Sequence, residues 1–180
     1  MAAKLNNPNA IYNIGTFYTE GVFEQNYKKA KKYFELAARQ NHSLSFLALG
    51  KMYLNGYGVI KNYLKAKEYM ELAAKDNNSE AIFVLGYLYY NGYGVQKNYL
   101  KAKEYFEIAA KNDDKKAINY LGKMYFDGKG VERNYEKAKK YYEIAAKNND
   151  FDSILALGII YYEGFGVVRD YLKALYYFEI

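Results

Sequence analysis

The chain contains no cysteine and no tryptophan, a single proline (Pro8) and a single histidine (His42). Without cysteine there is no disulfide framework, no thiol nucleophile and no thiolate zinc site, and a lone His42 falls short of the imidazole sets that hold catalytic metals. No apolar run approaches the roughly 18 residues a membrane helix needs, and residues 1–9 lack the hydrophobic stretch of a signal peptide. The expectation is a soluble, cytoplasmic chain with no cofactor and no membrane insertion, or a periplasmic or secreted one if a leader has been removed.

What is present is tyrosine and glycine, and both are periodic. The string from Leu49 to Val59 (LGKMYLNGYGV) returns from Leu85 (LGYLYYNGYGV), Leu121 (LGKMYFDGKGV) and Leu157 (LGIIYYEGFGV), displaced by 36 residues each time. A first copy opens at Ala10, reads IGTFYTEGV from Ile14 to Val22, forms a unit one residue shorter and lacks the second loop glycine. All 14 glycines fall into three classes, headed by Gly50, Gly56 and Gly58, so none is left for a phosphate-binding loop. Fifteen of the 24 tyrosines recur in the same way, in the classes of Tyr53, Tyr63 and Tyr69.

Within a unit, Phe46, Leu49, Met52 and Tyr53 have helical spacing, and so do Tyr63, Ala66, Tyr69, Met70, Ala73 and Ala74. Two helices per unit follow. The first is expected to be capped by Asn7, His42, Asn78, Asp114 and Asp150, with Pro8 at the first helical position, and to end at the Gly56 class. The second is expected to be capped by Asn26, Asn62, Asn98, Asn134 and Asp170. A mid-helix glycine such as Gly50 costs about 1 kcal/mol relative to alanine. The neighbouring Ala66, Ala73 and Ala74 suggest that it is kept for a close approach of two helix backbones, flanked by Tyr53 and Tyr69.

A helix-turn-helix unit of this length cannot bury its apolar face alone and must stack on its neighbours. The run A-x-x-x-L-G-x-x-Y-x-x-G-x-G-V, then K-A-x-x-Y and A-A, is carried here by Ala81, Leu85, Gly86, Tyr89, Gly92, Gly94, Val95, Lys101, Ala102, Tyr105, Ala109 and Ala110. It resembles the Sel1-like repeat, a relative of the tetratricopeptide repeat, over residues 10–180. Departures are the short first loop, serine for alanine at Ser45 and Ser153, and a last unit that reaches Ile180 before its Ala-Ala. The resemblance implies an all-α, right-handed α/α solenoid of five stacked units (10–44, 45–80, 81–116, 117–152 and an incomplete 153–180) behind a lead-in of residues 1–9. It also implies a non-catalytic adaptor that binds a protein or peptide in a concave groove, in a family whose members hold signalling or membrane-associated complexes together and whose bacterial members engage other cells or regulate cell processes.

Nine tyrosines fall outside the repeated classes. Several lie on a first-helix stripe formed by Tyr12, Thr16 and Thr19; Leu47, Lys51 and Leu54; Phe83, Tyr87 and Tyr90; Asn119, Lys123 and Phe126; and Leu155, Ile159 and Tyr162. First helices line the inner groove of tetratricopeptide-like stacks, so the resemblance points these side chains into it. There, aromatics would anchor a partner and Lys51 and Lys123 would meet its carboxylates. The alternative is that the stripe packs one first helix on the next.

The second-helix lysines are interleaved with glutamates: Lys67, Lys103 and Lys139 precede Glu71, Glu107 and Glu143 by four. Those glutamates precede Lys75, Lys111 and Lys147 by four, as Glu35 precedes Arg39. Such ladders are worth about 0.2–0.5 kcal/mol per pair and leave no uncompensated basic stripe for nucleic acid. The acid pairs Asp113/Asp114 and Asp150/Asp152 fall where helix caps are needed, and His42 reads as an exposed turn residue rather than a catalytic one. A hydrolase of the kind ascribed to cysteine-rich relatives is the rival class, and the S-x-x-K motif set it would need is missing. A third alternative is a purely structural segment of a longer array. In the last unit Leu175 and Tyr176 replace the usual charged pair. They imply a cover there: a further helix of a longer protein, a capping segment, or self-association with a second chain.

Overall fold

The computed structural model describes residues 7–22 and 24–180. These form ten helices and no strand: α1 (Pro8–Glu20), α2 (Tyr27–Ala38), α3 (Ser43–Asn55), α4 (Tyr63–Ala74), α5 (Ser79–Asn91), α6 (Tyr99–Lys111), α7 (Lys115–Asp127), α8 (Tyr135–Lys147), α9 (Phe151–Glu163) and α10 (Tyr171–Glu179). Each helix packs on the next along the chain, which gives an α/α solenoid of five helix pairs. Met1 to Asn6, most of the expected lead-in, lie outside the described residues.

The helices begin where the sequence supplies a short acceptor side chain. Nine of the ten N-caps accept a backbone N–H from the first turn. His42 is the exception, and it corrects the expected cap and exposed turn residue. Its half-buried ring places Nδ1 2.9 Å from Ser45 Oγ and Nε2 2.9 Å from Asn9 Oδ1, tying α3 to α1. First helices end on the Gly56 class, with φ between 71° and 81°. Second helices end without glycine: Asn41, Asn77, Asp113 and Asn149 take φ of 56–57°, a region these residue types tolerate. Asp113 is thus a turn residue, Asp114 and Asp150 are caps, and Asp152 stands in the first turn of α9.

Inside each unit the mid-helix glycine makes room first for a side chain, with the Ala102 carbonyl oxygen also close at Gly86. A Cβ at Gly15, Gly50, Gly86 or Gly122 would stand 2.5–2.8 Å from Phe34, Met70, Phe106 or Tyr142, and Gly158 faces Phe178 in the same way. The expectation of alanine-lined backbone contact is met in part, at Gly86 and the Ala102 carbonyl, and is corrected in that a large side chain fills the nearest space. Ala66 and Ala73 are fully buried, but the residue in front of Gly50 is Met70. Beside each glycine the two unit tyrosines stack, Tyr53 on Tyr69 and likewise in the other four units, with centroids 5.6–5.8 Å apart and planes within 7–11°.

Between units one quartet recurs. Ala30 and Phe34 of α2 meet Leu49 and Met52 of α3, and Ala138 and Tyr142 of α8 meet Leu157 and Ile160 of α9. The central cluster repeats it with Met70, Leu85 and Leu88, and with Ala102, Phe106, Leu121 and Met124. All of these are buried, and each large side chain contributes about 1.5–3 kcal/mol. The Gly58 class serves the same junction. With φ of 65–69°, these glycines press on the first residue of the preceding unit's second helix, where a Cβ would meet Tyr27, Tyr63, Tyr99 or Tyr135 at 2.5–2.8 Å. Tyr57, Tyr93 and Phe165 complete the clamp by stacking on Tyr27, Tyr63 and Tyr135 at 4.8–5.2 Å.

The charged ladder forms on one side only. Lys31, Lys67, Lys103 and Lys139 pair with Glu35, Glu71, Glu107 and Glu143 at 2.5–3.9 Å. The pairs from those glutamates to Arg39, Lys75, Lys111 and Lys147 are not formed among the described residues, the carboxylate being already engaged one turn earlier. Further lysines lie over the tyrosine stacks: Lys29, Lys65, Lys101, Lys137 and Lys173 stand 4.4–5.3 Å from the centroids of Tyr18, Tyr53, Tyr89, Tyr125 and Tyr161.

Candidate functional site

Part of the first-helix stripe lines two depressions. The larger, of about 510 Å³, crosses units two to four as far as the start of α9 and is lined by Lys51, Leu54, Phe83, Tyr87 and Asn119 of the expected set. The smaller, of about 330 Å³, lies between the first two units and takes in Tyr12, Leu47 and Lys51 with Thr16 and Thr19. Tyr90, Lys123, Phe126, Leu155, Ile159 and Tyr162 line neither.

Much of the stripe also packs between units. Phe83 is 9% exposed and Tyr90 6%. Both rings meet Tyr120 of the next first helix, at 5.6 and 5.3 Å. Phe126 sits against Tyr135 and Phe165. Asn119 donates from Nδ2 to Ser153 Oγ at 2.7 Å and to Asp150 Oδ1 at 3.1 Å. Both serines that depart from the repeat pattern are wholly buried, and each has a polar partner beside it: His42 for Ser45 and Asn119 for Ser153. In the last unit Leu155, Ile159 and Tyr162 remain exposed.

Tyr120 was not part of the expected set. It contacts four rings, those of Phe83, Tyr87, Tyr90 and Phe106, at 5.1–6.0 Å. Burial pushes its phenol up to about 12, and burial raises Tyr87 and Tyr90 as well. These hydroxyls are therefore neutral at ordinary pH and present dipoles, not charges. The signal in the sequence was size: Tyr120 occupies the position of Ala48, Val84 and Ala156.

The rim of the larger groove is charged. Lys51 Nζ donates to Glu80 Oε2 at 2.7 Å across the junction of the second and third units. Lys61 and Lys116 stand about the same aromatic floor and form no ion pair among the described residues, while Asp150 and Asp152 close the far end. Among the described residues no three acidic or imidazole groups cluster as a metal site. No described helix is long and apolar enough to cross a membrane.

The family model of the Sel1 repeat matches residues 8–42, 46–78, 79–114, 115–150 and 152–180. The chain belongs to the Sel1 repeat family. Among solved structures it is similar to a Sel1 repeat protein from Oxalobacter formigenes, at 33% identity and a TM-score of 0.90, over 99% of this chain and 74% of that one. A protective antigen of uropathogenic Escherichia coli with the same repeat fold is 29% identical with a TM-score of 0.82, over 96% of this chain and 37% of that one. The Helicobacter pylori cysteine-rich protein B is 29% identical with a TM-score of 0.54, over 70% of this chain and 90% of that one. No curated protein matches the chain. Sel1 repeat proteins are in general protein-interaction scaffolds.

Proposed function

We propose that the chain is a non-catalytic adaptor that holds an extended protein segment in the groove across α3, α5, α7 and the start of α9. The observation that carries this reading is a preformed depression of about 510 Å³ whose floor is aromatic and whose rim is charged. Aromatic floors supply anchor area at low entropic cost, and a charged rim sets register more than affinity. The occupant that fits is a segment with one bulky apolar anchor over Tyr87 and Tyr120. Acidic groups on it would face Lys61 and Lys116, and a basic group would face Asp152. Because the groove is built on packed helices, binding leaves the backbone nearly unchanged. A second reading, a structural segment of a longer array, draws on the burial of Phe83 and Tyr90 between units. The comparisons lend no support to a hydrolase.

The test is selection from a displayed peptide library against the wild-type chain. The selected segments are then measured on Tyr87→Ser and Lys116→Glu variants whose helicity matches wild type by circular dichroism. Loss of at least tenfold in affinity on both variants supports the groove. Equal binding by all three proteins removes it.

A further inference from the structure

In the second and third units, the edge where each first helix hands over to its second helix is both apolar and basic. Ile60, in the loop before α4, is 91% exposed; Leu64 and Leu100, in the first turns of α4 and α6, are 55% and 64% exposed. Both units have a further unit on either side, so this exposure owes nothing to where the chain begins or stops. The fold does not call for aliphatic residues there. The register of Leu64 and Leu100 holds Lys28 in the first unit and Glu136 in the fourth, and that of Ile60 holds Gln96 and Glu132.

These residues lie on one continuous strip. Gly94 presses the loop of the third unit onto the start of α4, where a Cβ on it would meet the Leu64 backbone nitrogen at 2.9 Å, and that loop runs on through Lys97 to Leu100. Four cations stand among the apolar tips: Lys61, Lys65, Lys97 and Lys101. None forms an ion pair among the described residues. Their ammonium groups stand over the rings of Tyr63, Tyr53, Tyr99 and Tyr89, 4.4–6.0 Å from the centroids. The first acids of the two helices, Glu68 and Glu104, come one turn after Leu64 and Leu100, and the strip ends in the fourth unit at Glu132 and Glu136.

We propose that this strip is a docking edge for an anionic phospholipid surface, independently of what the groove holds. Lysines without an acid partner are the complement of a negatively charged headgroup layer, which attracts them within a screening length. Aliphatic tips set among them add the short-range attraction, burying apolar area where headgroups meet acyl chains. A peptide partner needs walls around its side chains; a tip such as Ile60 projects singly and suits a fluid surface. Neither attraction holds a protein firmly by itself, so the docking is peripheral and reversible. Lys61 also lines the larger groove, and a docked chain would therefore hold that groove beside the membrane.

Co-sedimentation of the full chain with vesicles tests this, using phosphatidylcholine alone and phosphatidylcholine with about 30% phosphatidylserine. The chain is expected to sediment with the anionic vesicles only, and less so as salt rises. Ile60→Ser combined with Leu64→Ser and Leu100→Ser, and separately Lys65→Glu combined with Lys97→Glu, are each expected to lower the partition constant at least about tenfold. Lys75→Glu combined with Lys111→Glu makes the same change of net charge at the far ends of α4 and α6 and is expected to lower it by less than about threefold. The chain has no tryptophan, so Ile60→Trp supplies a single reporter whose emission should shift to the blue on anionic vesicles and not on neutral ones. Failure to bind anionic vesicles, an unshifted emission, or an equal loss in the Lys75→Glu, Lys111→Glu control overturns the inference. Binding of polyglutamate without binding of vesicles overturns it in favour of an acidic protein.

Discussion

The ring of Phe106 fills the space that any side chain at Gly86 would need. A Cβ there would stand 2.7 Å from both Cδ1 and Cε1 of the ring and 3.2 Å from the Ala102 carbonyl oxygen. At Gly50 the equivalent obstacle is the methyl end of Met70, also at 2.7 Å. The two sites look alike in sequence and differ in how far the obstacle can yield.

Gly86→Ala is therefore expected to destabilise the chain by about 1–3 kcal/mol, the usual consequence of overpacking against a rigid ring. Gly50→Ala is expected to lie within about 0.5 kcal/mol of wild type, because the thioether swings aside and alanine regains about 1 kcal/mol of helix propensity. Urea midpoints of the two variants, measured together, check the ordering.

Gly94 stands at φ 66°, and a Cβ on it would meet Tyr63 Cβ at 2.8 Å and the Leu64 backbone nitrogen at 2.9 Å. Strain from the left-handed backbone, about 1–2 kcal/mol, adds to a clash with atoms that cannot rotate away, about 1–3 kcal/mol. Gly92→Ala meets its nearest neighbour, Lys97 Cβ, at 3.1 Å, so it carries the same backbone strain with a milder crowding. Thermal unfolding should place Gly94→Ala clearly below Gly92→Ala.

His42 links acid to stability. Burial lowers its pKa from the ordinary imidazole value, so the folded state binds the proton less readily than the unfolded one. The contribution is fully present above the unfolded pKa of about 6.5 and is lost as pH falls from there through the lower folded value. His42→Asn, which restores the cap found at Asn78, is expected to remove this slope. Unfolding midpoints of both proteins between about pH 7 and pH 5 should diverge toward the acid side.

Asn119 and Ser153 form a pair whose loss is not additive. Asn119→Ala leaves the buried Ser153 hydroxyl without its donor and takes one of two donors from Asp150 Oδ1, which keeps the Ser153 N–H, at a cost of about 1–3 kcal/mol. Ser153→Ala restores the alanine present at Ala81 and Ala117 and should be mild. The double variant is expected to be more stable than the sum of the single effects predicts, by a double-mutant cycle in urea.

Helix ends and glycine classes were legible in the sequence because they obey local rules of spacing and backbone conformation. Asn98 must cap whatever its neighbours do, and Gly92 must turn. The αL residues Asn41 and Asp113 were equally local, and their recurrence as Asn or Asp was the available signal. The groove was only partly legible, since which stripe residues meet solvent depends on how one unit is set against the next. Phe83 and Tyr90 share spacing with Tyr87, yet they are covered by Tyr120. Nothing local foretold that His42 would reach Asn9, whose place opposite it is set by the packing of α1 on α3.

Each interior clamp runs backward along the chain: the loop carrying Gly58 holds Tyr27, the one carrying Gly94 holds Tyr63, and so on to Gly166 on Tyr135. The first residue of a second helix is thus clamped by the loop of the following unit, while the buried quartet holds that following unit to its predecessor. The added clamp on a second helix therefore completes only when the loop of the next unit is in place.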